Sequence, residues 1–499
     1  LKQDIIIRAD GGTSIGMGHI VRCLALADML KEHFSISFAV QEPGNPVIEM
    51  IRERAIEIIA LPQTSDFEED FLNFQPYLRP GVIVILDGYG FTARYQNGIK
   101  RKGCKLVYID DLHSWRQVAD VVINHAEGIS PLDYEAEDDV RFCLGSKYAM
   151  LRKPFLADTE SRKPGPLRSI FISMGAADKD NLTWKFTEAL LDIRQIEEIH
   201  LMLGAVNPHL QQIRHLAMTV TEVKISIHIN IDAAGLRQLL ERSDLAICPA
   251  STIALEACAV GIGLLSGFSA DNQKSILNGL KSAQVLKDLG DLQKISTSGI
   301  KLHVESLIKE PHQISGMIQN QKKLIDGRSA DRLRSVFEEL KNEKLHFRFA
   351  EEKDAMLYFK WTNDPVVRAN SFQQHNISLE HHLRWFHEHI HDPDYYFYLF
   401  LDKEGSPAGQ VRISRDGVET TIGISVDENF RGQSLAPEMI RKASRHYLAH
   451  HPEEKVSAYI KIENTASYKS FIKAGFITAA ITDISGCKSY KLERKDIYE

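Results

Sequence analysis

The chain has no CxxC pair, no long basic run and no apolar stretch long enough to span a membrane. Each absence excludes something. Six cysteines (Cys23, Cys104, Cys143, Cys248, Cys258, Cys487) are scattered, most of them in apolar surroundings, and the net charge is -7. Scattered thiols of this kind fit a reducing compartment and argue against a disulfide framework or a structural zinc site. The acidic balance argues against a nucleic-acid partner. With neither a signal-peptide pattern nor a long apolar span, a cytoplasmic protein without a membrane partner is expected. The glycine-rich loop near the start is not GxGxxG, nor does it end in the Gly-Lys-Ser/Thr of a P-loop.

What is present is a globular composition: 499 residues, 43% hydrophobic and 25% charged, enough for about three domains. The first motif is Ile5–Leu30. An apolar run, Ile5–Ile7, enters a loop holding Gly11, Gly12, Gly16 and Gly18. Next comes a helix with Ile20, Leu24, Ala27 and Leu30 on one face. His19 stands where loop becomes helix. Unpaired amides and a positive dipole end make that position hospitable to an anion, and an imidazole there suggests proton chemistry. The plainer reading is a tight βα turn whose glycines only permit its geometry.

Short β-branched runs then alternate with helical stretches: Ile36–Val40, Ile56–Leu61, Val82–Leu86, Leu106–Ile109 and Val121–Ile123. This is the pattern of a doubly wound parallel layer, whose ligands sit beyond the carboxyl ends of the strands. Four polar strand ends, Arg8–Asp10, Asp87–Tyr89, Asp110–His113 and Asn124–His125, are therefore expected around one cleft. A polar connection with Pro154, Pro164 and Pro166 precedes a second alternation: Ser169–Met174 (followed by Gly175), His200–Leu203, Val223–His228, Leu245–Cys248 and Gly263–Ser266. Between the last two runs, Ser251 or Thr252 is placed to cap a helix that carries Glu256. That helix start is a second phosphate-friendly site, and Glu256 a candidate for a ribose diol. Ala270-Asp271-Asn272-Gln273 is a polar loop opening the next helix. A third module starts at His346–Ala350, with strands at Tyr396–Leu401, Gln410–Ile413, Thr420–Val426 and Val456–Ile460.

Two such layers describe a GT-B architecture. Gly16-Met17-Gly18-His19, Arg22-Cys23-Leu24, Asp87-Gly88-Tyr89, the Gly145–Phe155 stretch, Ser251-Thr252, Glu256 and Asp271-Asn272-Gln273 resemble the UDP-sugar hydrolase of pseudaminic acid biosynthesis (PseG-like). That family is related to the MurG-type glycosyltransferases. The resemblance covers about residues 3–340 and departs at Cys248-Pro249-Ala250, where a more glycine-rich turn is usual. It implies hydrolysis of UDP-2,4-diacetamido-2,4,6-trideoxy-β-L-altropyranose with inversion and without a metal. His19 would be the base, with Tyr89 and Asn272 near the sugar. Gly16, Gly18, Gly175, Ser251, Thr252, Glu256 and Gln273 would line the UDP-sugar site.

Over about residues 345–495 the chain resembles the GNAT acetyltransferases. Arg431-Gly432-Gln433-Ser434-Leu435-Ala436 is similar to their acetyl-CoA pyrophosphate loop, which implies acetyl-CoA as co-substrate. Val426 would pair with pantetheine, and Asn464 and Ser467 would complete the site. Ser434 stands where glycine is common. Phe471 stands where many members carry the tyrosine that protonates the thiolate, which leaves Tyr468 as a substitute. Glu419 is the candidate base. The expected organisation is thus α/β throughout: a GT-B-like pair of Rossmann-like domains at 1–155 and 156–342, then a GNAT domain with a mixed sheet at 345–495. A PseH-like N4-acetylation makes the substrate that the hydrolase consumes, so the two resemblances support each other. The alternatives are a MurG-like transferase, a nucleotide-sugar sensor, or a GNAT domain acting on another amine. The sequence leaves the oligomeric state open.

Overall fold

The computed structural model describes residues 2–12, 17–157, 165–175, 178–204 and 207–494. They form two compact units. One runs to Ile129 and resumes from Phe142 to Lys341; the other takes Ser130–Arg141 and the chain from Asn342 onward.

The first unit holds two sheets. The first comprises β1 (Gln3–Ala9), β2 (Phe34–Gln41), β3 (Glu57–Leu61), β4 (Ile83–Asp87), β5 (Lys105–Ile109), β6 (Val121–Asn124) and β7 (Arg141–Leu144), in the order β3-β2-β1-β4-β5-β6-β7. The pairs from β3 through β6 are parallel. Their β-branched runs are buried on both faces: Ile5, Ile7, Ile83, Val84 and Ile85 are all fully inaccessible. The order reverses between β1 and β4, which opens a crevice at their carboxyl ends. β7 escapes the sequence reading because Arg141-Phe-Cys-Leu is too short to show a period.

The second sheet comprises β8 (Ser169–Ile172), β9 (Glu198–Leu203), β10 (Lys224–Ile229), β11 (Leu245–Pro249), β12 (Gly263–Phe268) and β13 (Lys287–Asp291). It is all parallel, in the order β10-β9-β8-β11-β12-β13, and reverses between β8 and β11. β13, Lys-Asp-Leu-Gly-Asp, is too polar to read as a strand and pairs as the sheet's edge. Cores on its two faces are built from Ile170, Ile172, Phe186 and Leu201 on one side and from Phe171, Leu240, Ala246 and Leu264 on the other. Each buried Ile, Leu or Phe among them contributes roughly 1.5–3 kcal/mol.

The second unit is one mixed sheet: β14 (His346–Phe349), β15 (Tyr395–Leu401), β16 (Pro407–Arg415), β17 (Thr420–Val426), β18 (Val456–Lys461), β19 (Ile477–Ile484) and β20 (Cys487–Arg494), in the order β14-β15-β16-β17-β18-β20-β19. β17 and β18 run parallel but pair only at Thr420–Val456 and Thr421–Ser457. Beyond those residues they part, leaving a V that opens toward Val426 and Ile460. Ser130–Arg141, which the sequence reading leaves with the first domain, serves this unit's edge. Asp138 accepts the Phe349 amide (3.1 Å) and Asp139 the Phe347 amide (3.3 Å), so two carboxylates occupy the outer donors of β14. No helix among the described residues is long and apolar enough to cross a membrane.

Candidate functional site

The helix Gly18–Leu30 starts just past the crevice between β1 and β4, and Asp87 ends β4. The i, i+3 spacing puts His19 and Arg22 on one face of that helix, toward Asp87. All three are buried, with exposures of 7%, 6% and 1%. His19 Nδ1 lies 2.6 Å from Asp87 Oδ1. Arg22 donates Nε–H to Asp87 Oδ2 (2.7 Å) and Nη2–H to Oδ1 (2.5 Å); its outer edge reaches both Asp111 oxygens at 2.9 and 2.8 Å. Cys23 donates its thiol to Asp87 Oδ2 (3.2 Å).

Two groups approach His19 Nδ1, since Arg22 Nη2 is also 3.2 Å away. Both Nη2 protons are already directed at Asp87 and Asp111. Burial works against the Asp87 anion, but Arg22 and His19 outweigh it and hold this carboxyl well below its usual range. Asp87 is therefore an acceptor and Nδ1 the donor. That tautomer leaves the lone pair on Nε2, which has no protein partner among the described residues. Arg22 with two carboxylates leaves one net negative charge beside the ring.

The Tyr89 ring meets His19 edge-on at 4.9 Å, and its hydroxyl accepts from Asn272 Nδ2 at 2.8 Å. Burial and the nearby Asp111 push the Tyr89 phenol up to about 12, so it keeps its proton. His19, Tyr89 and Asn272, drawn from three distant stretches of sequence, thus form one contiguous cluster. His125, at the end of β6, is 2% exposed and its Nδ1 has no partner. Burial, then the charge of Arg22, lowers its pKa to about 4.

Other expected positions lie elsewhere or are engaged. Gly16 falls outside the described residues. Gly18 opens the helix with free space around its Cα. Arg8 does not face the cleft; it is fully buried between Asp10 and Asp70, both at 2.7 Å. Asp110 braces its own loop through the amides of Leu112 and His113. At the reversal of the second sheet, Gly175 follows β8 with φ +91° and open space. Ser251 stands at the N-cap of the helix Thr252–Val260 but makes no side-chain capping bond. The first amides of that helix therefore lack a side-chain acceptor. Glu256 corrects the expectation of a ribose contact: it is 1% exposed and holds Arg152 in a bidentate pair, both bonds 2.7 Å. Gln273 turns inward, its oxygen accepting the Ser269 amide at 2.8 Å.

In the second unit, Val426 ends β17 and its carbonyl accepts from Arg431 Nε (3.2 Å), while Arg431 Nη2 pairs with Asp364 (2.7 Å). Arg431 therefore braces the loop. Gly432 (φ +79°) and Ser434 (φ +59°) both take left-handed backbone, and Gln433 bonds back to the Asn429 carbonyl (3.1 Å). Leu435 is buried and precedes the helix Ala436–His450, whose start has no side-chain cap. Loop amides, an uncapped helix start and the V between β17 and β18 fit an extended cofactor arm with a diphosphate. Asn464 caps the helix Thr465–Lys473 by accepting the Ser467 amide (3.1 Å). The Tyr468 hydroxyl meets Thr478 Oγ1 at 3.1 Å. Glu419 does not suit the role of base. It precedes β17 at the closed end of the V, roughly 20 Å of extended chain from Val426. Its carboxylate is bound by Lys491 (2.8 Å) and the Tyr459 hydroxyl (2.5 Å).

The sequence reading misses Asp87 as the imidazole partner, Arg22 and Asp111 as its charge balance, and the buried His125. The available signals were the strand ends Asp87 and Asn124-His125 and the i, i+3 spacing of His19 and Arg22. No group of three or more His, Cys, Asp or Glu side chains placed to hold a metal ion stands among the described residues.

Comparison with known proteins follows the same division. Residues 344–477 match the family Acetyltransferase (GNAT) domain. An uncharacterized protein of Methanocaldococcus jannaschii is 24% identical over 489 residues, 95% of this chain and 96% of that protein, so the alignment runs through both units. The UDP-2,4-diacetamido-2,4,6-trideoxy-beta-L-altropyranose hydrolase of Campylobacter jejuni is 25% identical over 284 residues, 54% of this chain and 93% of the hydrolase. The crystal structure of Acinetobacter baumannii MurG superposes with a TM-score of 0.51 at 13% identity, over 68% of this chain and 99% of MurG. The chain thus joins a MurG-like GT-B pair of Rossmann-like sheets to a C-terminal GNAT acetyltransferase domain, with distant homology to a UDP-sugar hydrolase in the first part.

Proposed function

We propose that the chain carries two consecutive activities of cytoplasmic nucleotide-sugar metabolism. The GNAT domain transfers acetyl from acetyl-CoA to the 4-amino group of a UDP-sugar. The GT-B pair then hydrolyses the resulting UDP-2,4-diacetamido-2,4,6-trideoxy-β-L-altropyranose to UDP and free sugar. The observation that carries the hydrolytic half is the 2.6 Å contact of His19 Nδ1 with an ionised Asp87, which leaves Nε2 as the base.

In this reading water is held at Nε2. As its oxygen bonds to the anomeric carbon, His19 takes its proton and the bond from that carbon to the diphosphate oxygen breaks, its electron pair leaving with UDP. Attack opposite the leaving group inverts the centre. The helix start at Thr252 and the turn at Gly175 support placement of the diphosphate at the reversal of the second sheet, where unpaired amides offset developing charge. Tyr89 and Asn272, bonded to each other beside His19, orient the sugar or the water.

Acetyl-CoA supplies the acetyl group; Val426, the amides from Gly432 to Ala436, Asn464 and Ser467 would hold it. The test is UDP release by the full chain from the diacetamido UDP-sugar with no acceptor added. UDP and free sugar support hydrolysis. Release only after an acceptor is supplied indicates a MurG-like transferase. His19→Ala should abolish UDP release and leave acetyl transfer intact; unchanged UDP release in that variant rejects the assignment of the base.

A further inference from the structure

β16 alternates between two environments. Val411 and Ile413 are fully buried against Met439 and Ile440 of the helix Ala436–His450. Gln410 and Arg412 point to the opposite face. The second core lies on that side, formed by Tyr358, Trp361, Phe386 and Phe397.

Arg412 sits between Phe397 on β15 and Gly423 on β17 in the sheet register. Its guanidinium carbon lies 5.0 Å from the Trp385 ring centroid, and it has no hydrogen-bond or ion-pair partner among the described residues. The side chain reaches solvent. The floor beside it is open: Gly423, in a central strand, is exposed and has no atom within 4 Å of where a Cβ would stand. Two more polar groups on this side lack partners. Gln410 Oε1 is buried and unbonded although its Nε2 donates to Ser425 Oγ (3.2 Å), and the buried Tyr358 hydroxyl is also unbonded.

A bare strand floor, two orphaned polar atoms and a cation with no counter-charge describe a site completed by a ligand that brings the negative charge. Stacking on Trp385 fixes the guanidinium plane and leaves its N–H fork free, the arrangement suited to two oxygens of a phosphate.

We infer that Arg412, held against Trp385 beside the open face of β17, anchors the phosphate of a negatively charged amine that accepts the acetyl group. The inference rests on the reading of this unit as an amine acetyltransferase, and it selects among acceptors. Polycationic amines are disfavoured by the unpaired charge. A sugar amine linked to UDP is favoured, its neutral end free to reach the thioester at the V between β17 and β18. The same chemistry could bind a phosphate of CoA, so the test separates the two.

Initial rates of CoA release by the full chain are measured with three acceptors: the UDP-linked 4-amino-sugar, the same amino-sugar without phosphate, and spermidine. O-Phosphoethanolamine serves as a fourth, unrelated phosphate-bearing amine. Arg412→Gln should raise KM for the UDP-linked amine at least tenfold and leave KM for acetyl-CoA within twofold; Arg412→Lys should fall between. The phosphate-free amino-sugar should be a poor substrate and insensitive to either change. A parallel rise in KM for acetyl-CoA assigns Arg412 to CoA and overturns the inference. Equal losses with phosphorylated and phosphate-free acceptors, no change with any, or a wild type that acetylates only neutral or cationic amines also overturn it. If the wild type ignores the UDP-sugar but acetylates O-phosphoethanolamine in an Arg412-dependent way, the proposed substrate fails and the anion subsite stands.

Discussion

Replacing Asp87 with asparagine changes one oxygen to nitrogen at the centre of the first cluster. The side chain keeps its volume, and Arg22 keeps both contacts to Asp111. The amide, however, can present N–H to His19 Nδ1, so Nδ1 becomes the acceptor and Nε2 carries the proton. The imidazole then has no lone pair facing water, and one negative charge beside the ring is lost. A wrong tautomer in a carboxylate–imidazole pair costs roughly 10⁴-fold in kcat. Here we expect a fall of about a thousand- to ten-thousand-fold, or about 4–5.5 kcal/mol in the barrier. KM should change little, because the nucleotide contacts are assigned to the second sheet. The assay is UDP release from the diacetamido UDP-sugar at pH 7.5, with acetyl transfer in the same preparation as the control for folding. A kcat within tenfold of wild type in a folded Asp87→Asn protein would refute the argument.

Three further outcomes follow from particular residues. His125 has a pKa lowered to about 4 in the folded chain against about 6.5 unfolded, so between these values the unfolded state binds the extra proton. Its contribution is therefore complete above pH 6.5 and is lost as pH falls toward 4, by about 3 kcal/mol at most. His125→Gln should flatten that part of the stability-versus-pH curve, read by urea unfolding at pH 4.5 and 7, and an unchanged slope would count against it. Glu256→Gln leaves the Arg152 guanidinium with no buried counter-charge and should lower the stability of the first unit by about 2–3 kcal/mol, since Arg152 keeps partial solvent contact. A loss of UDP affinity with no loss of stability would instead return Glu256 to the nucleotide. Ser434 occupies left-handed backbone at φ +59°, so Ser434→Gly should stabilise the loop between Arg431 and Ala436 by about 1 kcal/mol and Ser434→Val should destabilise it, read as shifts in urea midpoint.

The strands buried on both faces were legible because β-branched runs such as Ile5–Ile7 and Ile83–Leu86 have no competing period. β7 and β13 were not, since one is four residues long and the other mostly polar. β19 and β20 were missed for a related reason: Ile477–Ile484 is largely exposed and Cys487–Arg494 mixes charges with apolar residues, so neither shows a buried face until they pair. In the site, the glycine-rich loop drew attention to His19, but only the sheet order β1-β4 puts Asp87 beside it, 68 residues away. Glu256 shows the converse. A carboxylate one turn into a phosphate-friendly helix looks like a ribose contact until Arg152, 104 residues earlier, is found against it. Glu419 failed for a reason of scale: adjacency to β17 in sequence placed it at the wrong end of that strand.

The two parts are expected to act in sequence on one substrate. The direct measurement is to give the full chain the UDP-linked 4-amino-sugar in ¹⁸O-labelled water, with and without acetyl-CoA, and to follow UDP, CoA and free sugar. With acetyl-CoA, CoA should appear first, followed by UDP and a diacetamido sugar labelled at its anomeric hydroxyl. Without it, UDP release should be slower by at least an order of magnitude. Rapid UDP release independent of acetyl-CoA, or CoA release with no UDP unless an acceptor sugar is added, would contradict the claim.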